Sequence, residues 1–137
     1  MAVRVGVKTP AQVFAMALGI TYLAVGIVGF AVTAFDGFAS TRPDEELVIF
    51  ALNPLHNIVH LALGAAWLAA AGKHSRAKTA NLALGVVFLL VFVLGMVGAL
   101  EWLAIEDAGS PDNYLHLGTA VLAIYFGTFG AAALGGS

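Results

Sequence analysis

Two of the four histidines stand in a phrase that occurs twice, Asn57-Ile58-Val59-His60-Leu61 and Asn113-Tyr114-Leu115-His116-Leu117, each opening a long apolar stretch. His56 precedes His60 by four residues, which puts the two on one face of a helix, a turn apart. Asp112 takes the corresponding place before His116. His56, His60, His116 and Asp112 together supply the nitrogen and oxygen donors that zinc or copper takes. Paired histidines from two helices, His60 and His116, also suit the axial positions of a haem. Asn57 and Asn113 are placed to orient the rings from outside the ligand set. A plainer reading needs no ligand, because neutral histidine beside asparagine also serves as hydrogen-bond glue between membrane helices, at ~0.6 kcal/mol on average. A third reading is a pocket for a lipid, quinone or pigment, with Gly64 leaving room one turn after His60. Residue types alone leave the cofactor unidentified.

Other chemistry is excluded more firmly. With no cysteine the chain forms no disulfide, cysteine-ligated cluster or thioether haem link. It holds no nucleophile with an adjacent base, no phosphate-binding glycine loop and no basic stripe for nucleic acid. His74, within Gly72-Lys73-His74-Ser75-Arg76, reads as a solvated loop residue near lipid phosphates. Trp102, and less clearly Trp67, read as interfacial anchors. Thr21 lies deep in an apolar stretch, where a threonine bonds back to its own helix.

The elements that must position the histidines are membrane helices. Of 137 residues, 61% are hydrophobic and 10% charged, with a mean hydropathy of +0.95. A soluble core this small cannot hide so much apolar surface. Four stretches free of acidic and basic side chains are long enough to cross a hydrocarbon layer, which takes ~20 residues. They run from Pro10 to Phe35, Pro54 to Gly72, Thr79 to Leu100 and Asn113 to Leu134. Unpaired backbone amides are too costly in lipid, and the stretches are continuous rather than alternating, so the spans are helices. The expected fold is all-α, a four-helix membrane bundle forming one domain over residues 1–137.

Five of the six basic residues, Arg4, Lys8, Lys73, Arg76 and Lys78, fall on one side of such a bundle. Both termini are therefore expected in the cytoplasm, with the protein in the cytoplasmic membrane. The opening Met1 to Lys8 resembles the basic region of a signal peptide, but the apolar run behind it is too long and lacks a small-residue cleavage site, so it reads as a retained span. Thr9-Pro10, Asn53-Pro54 and Ser110-Pro111 each set a side-chain acceptor before a proline, a helix-start signal. Thr41-Arg42-Pro43-Asp44-Glu45-Glu46-Leu47 predicts a further short helix along the outer membrane surface.

The repeat extends past the histidines. Ala17-Leu18-Gly19 recurs 66 residues later as Ala83-Leu84-Gly85, Gly29 falls on Gly95 and Tyr22 on Phe88 at the same offset, while the second and fourth stretches align 56 residues apart. Two similar hairpins around a pseudo-twofold along the membrane normal are expected. Gly19, Gly26, Gly29, Gly95, Gly98, Gly127 and Ala131 read as close helix contacts.

The string Asn53-Pro54-Leu55-His56-Asn57-Ile58-Val59-His60-Leu61, then Gly64-Ala65-Ala66-Trp67-Leu68, Asn81 to Val87, and Asp112-Asn113-Tyr114-Leu115-His116-Leu117 resemble small four-helix bacterial membrane proteins, frequent in actinobacteria and catalogued as a domain of unknown function. The likeness runs from about Ala11 to Ala133. It implies a four-span protein of the cytoplasmic membrane and carries no activity to transfer. The residues themselves point first to a non-catalytic binding or accessory subunit, whose partners are the lipid bilayer and other membrane subunits or further copies of itself. The rival reading is a metal or haem protein ligated by His60 and His116, with His56 and Asp112 assisting.

Overall fold

The computed structural model describes residues 6–33, 46–47, 50–51, 53–105 and 107–132. Four α-helices carry the fold: α1 Pro10–Thr33, α2 Pro54–Ala70, α3 His74–Met96 and α4 Pro111–Gly127. The most extensive interhelix contacts are within the hairpins, α1 against α2 and α3 against α4. Two helices, α1 and α3, are long and apolar enough to cross a membrane. The other two have 17 residues each, ~26 Å at 1.5 Å per residue.

Two starts behave as the proline signals predict. Asn53 caps α2 by accepting from the His56 amide at 2.8 Å. Thr9 and Gln12 form a reciprocal capping box, the Thr9 hydroxyl accepting from the Gln12 amide and Gln12 Oε1 accepting from the Thr9 amide at 3.1 Å. Ser110 departs from expectation: its hydroxyl turns back to accept from the Asp107 amide at 3.3 Å and makes no cap bond to α4.

Two boundaries differ most from the charge-free stretches. α3 begins at His74 rather than Thr79, because charge limits a span but not a helix and nothing after Gly72 breaks the helical run. α4 ends at Gly127 rather than Leu134: Thr128 leaves helical geometry, and the Ala131 carbonyl instead accepts from the Ala11 amide at 3.1 Å. The predicted short outer helix is not formed where the chain is described. Glu46–Leu47 and Phe50–Ala51 pair as two antiparallel strands of two residues, with Leu47 opposite Phe50. A helix so short is marginal on its own. The rest of its signal, Thr41–Glu45, lies outside the described residues.

The packing inverts that of a water-soluble bundle. Large aliphatic residues such as Ile20, Ile27, Val86, Leu90 and Val93 are exposed, whereas Asn53, Asn57, Asn81, Asn113, Asp112 and three histidines are buried. Small residues make the close contacts, as in bundles that pack without a hydrophobic drive between helices. A Cβ on Gly19 would meet Leu68 at 2.6 Å, and one on Gly85 would meet Ile124 at 2.9 Å. Gly29 lies against the Asn57 amide, and Gly95 against that of Asn113. Each of these contacts has its counterpart at the offsets of 66 and 56 residues, so the sequence repeat is also a repeat of packing.

Candidate functional site

Capping and helix period place the histidines. Asn53 fixes the start of α2, and from that start His56 and His60 point inward one turn apart, their ring centroids 4.3 Å from each other. α4 brings His116 to the same level, 6.3 Å from His56 by ring centroids. All three are buried, and one ring nitrogen from each lies within 4.8 Å of the other two. His56 Nδ1, both nitrogens of His60 and His116 Nδ1 have no hydrogen-bond partner among the described residues.

Beneath the histidines lies an aromatic layer with one side chain from each of three helices. Tyr22 meets His60 edge-on at 5.3 Å, Phe88 lies 5.4 Å from His116, and Tyr22 and Phe88 are 5.4 Å apart. The Tyr22 hydroxyl is satisfied by the Thr119 hydroxyl at 2.9 Å, so it is not directed at the imidazoles. Trp67 completes the layer, 5.6 Å from Tyr22 and 5.7 Å from Phe88. It is a core residue rather than an interfacial anchor: it is fully buried, and its indole N–H donates to Asn81 Oδ1 at 3.1 Å.

Above the histidines the α3–α4 connection folds inward. A single 3₁₀ turn, Glu101–Leu103, is followed by Ala104 in the left-handed region at φ 62°, and Leu100 pairs with Ile105 as an isolated bridge. Leu103 and Ile105 are thereby buried over the site, while Trp102 stays exposed and its backbone carbonyl accepts from Asn53 Nδ2 at 2.9 Å. Between roof and floor is a cavity of about 80 Å³. The three histidines line it, with Val59 and Leu63 from α2, Val87, Phe88 and Val91 from α3, and Leu103 and Ile105 from the roof.

Of the four residues expected as ligands, three converge and one does not join them. Asp112 is buried but is not part of the group whose donor atoms meet. Asn57 and Asn113 do not orient the rings: Asn57 Nδ2 donates to the Thr33 hydroxyl at 2.9 Å and Asn113 Nδ2 to the Asp107 carbonyl at 2.7 Å, tying each helix to the end of its hairpin. Gly64 opens no pocket, since a Cβ there would strike the Leu23 amide of α1 at 2.6 Å. His74 is the first residue of α3 and its Nδ1 lies 2.7 Å from the Thr9 hydroxyl, a bond that closes the opposite end of the bundle.

Two features lay beyond the sequence reading. Asn81 uses its amide to hold the Ala11 and Phe126 carbonyls at 3.1 and 3.3 Å while accepting from Trp67, and its place as the last polar residue of α3 before an unbroken apolar run was the available signal. The roof was signalled only by Leu103-Ala104-Ile105, an apolar trio inside an otherwise acidic loop.

Residues 12–129 match the model of a protein family described as a domain of unknown function (DUF4383). No curated protein and no solved structure gives a match.

Proposed function

The chain belongs to the family described as a domain of unknown function (DUF4383), and on that premise we propose that it is a four-span protein of the cytoplasmic membrane that binds a zinc or copper ion through His56, His60 and His116. One observation carries the reading: three buried histidines bring a ring nitrogen each within 4.8 Å of one another, and each of the three also holds a buried nitrogen with no hydrogen-bond partner among the described residues. Hydrogen-bond glue would leave those nitrogens bonded to neighbours, and an orphaned buried polar atom costs ~1–3 kcal/mol. A metal ion draws on nitrogen donors it favours and offsets that cost for each orphaned nitrogen it takes up. Haem suits the geometry less well, because a cavity of about 80 Å³ is far below the ~300 Å³ at which small-molecule pockets begin. Asp112 is left as a buried neighbour of the centre rather than a ligand.

The membrane setting rests on the apolar exposed faces, on α1 and α3 being long enough to cross, and on basic residues gathered at the end opposite the histidines. In that setting both termini are cytoplasmic and the metal centre sits toward the outer face. The role is binding rather than catalysis, in a subunit that works with other membrane proteins or with further copies of itself. The test is elemental analysis of protein purified from native membranes in mild detergent. We expect close to one zinc or copper per chain in the wild type and loss of the metal in His60→Ala and His116→Ala variants that keep the wild-type helical circular-dichroism spectrum. A metal-free wild type, or full metal in both variants, would overturn the assignment.

A further inference from the structure

Resting on the metal reading, we propose that the ion is copper(I), that it keeps one coordination position open to the cavity, and that this position takes a small uncharged diatomic gas such as dioxygen, nitric oxide or carbon monoxide. Three imidazoles leave a tetrahedral ion one ligand short. On the cavity side the protein offers nothing to fill that position. Val59, Leu63, Phe88, Val91, Leu103 and Ile105 present only hydrocarbon there, and Asp112 is not in the wall.

Size and polarity then select the occupant. A space of about 80 Å³ exceeds the ~10–15 Å³ that one water requires, so a diatomic molecule fits where a quinone ring or porphyrin does not. Apolar walls would strip an anion of its hydration without replacing the lost hydrogen bonds, whereas an uncharged diatomic has almost no hydration to lose. Access is available from the lipid, in which such gases dissolve readily. Val87 lines the cavity and is 45% exposed, so its side chain reaches from the cavity wall to the outer surface of α3.

The test uses copper(I), because carbon monoxide binds it without redox chemistry and its stretching vibration reports the site. Protein in lipid nanodiscs would be loaded anaerobically to one copper per chain, exposed to carbon monoxide and read by infrared spectroscopy. We expect one narrow band that saturates at one carbon monoxide per copper. Val91→Phe, which fills the cavity without replacing a histidine, should lose the band while keeping its copper; Leu63→Phe serves if that variant does not fold. Copper without a carbon monoxide band in the wild type would overturn the open position and leave the metal reading standing, as would a band unchanged in the filled variant. Failure to bind copper would overturn the gas site, and failure to bind zinc as well would overturn the metal reading with it.

Discussion

Asn81 shows how much one side chain holds in this bundle. Its amide satisfies two carbonyls, from Ala11 and Phe126, and its oxygen takes the N–H of the buried Trp67. Water cannot replace these bonds at that depth. Asn81→Ala should lower stability in detergent by ~1–3 kcal/mol, the cost of an orphaned buried donor. Adding Trp67→Phe, which removes that donor, should recover part of the loss; strictly additive melting shifts across the double-mutant cycle would sink this account. Gly29 and Gly95 make a parallel case, because each gives its space to the carboxamide of Asn57 or Asn113. Gly29→Ala and Gly95→Ala should each cost ~1–3 kcal/mol through overpacking, seen as a lower melting temperature, with similar penalties at the two equivalent positions.

The α3–α4 connection is an element whose backbone is set against its sequence. Ala104 holds φ 62° so that Leu103 and Ile105 can both turn inward beneath the Leu100–Ile105 bridge. A residue with a Cβ is disfavoured there by ~1–2 kcal/mol, and glycine is not. Ala104→Gly should therefore raise the melting temperature without altering the metal content; destabilisation would mean that the Ala104 methyl contributes more than the strain removes. The helices themselves follow local rules more closely. The Thr9 and Asn53 helix starts were legible because capping depends on neighbours in sequence, and the structure adds Gln12 as the partner of Thr9. The pairing of Glu46–Leu47 with Phe50–Ala51 was not, since strand pairing over so few residues depends on what surrounds it.

At the scale of the whole molecule, the arrangement is polar within and apolar without. Orientation is directly testable because the chain has no cysteine of its own. Lys78 and Ala108 are both exposed, at opposite ends of α3 and its following loop. In intact cells a membrane-impermeant maleimide should label Ala108→Cys at once and Lys78→Cys only after permeabilisation. The reverse pattern would place the termini outside and the histidines toward the cytoplasm.

The sequence alone determined the four long helices, the repeat and a candidate set of four residues that contains the three histidines. Apolar run length, capping residues and the i, i+4 spacing of His56 and His60 are local properties, and a duplicated phrase keeps its meaning wherever the hairpins dock. What the tertiary structure decided was which polar groups share a space. Asp112 occupies the place that the repeat assigns to His56, yet it stays outside the group: among the described residues, His56, His60 and His116 are the ones whose donor atoms lie within 4.8 Å of one another. Asn57 and Asn113 bond to hairpin ends, and Trp67 bonds inward to Asn81. The cavity is a product of docking: its floor, walls and roof come from α2, α3, α4 and the α3–α4 loop, and spacing within any one of them cannot specify the distance to the others.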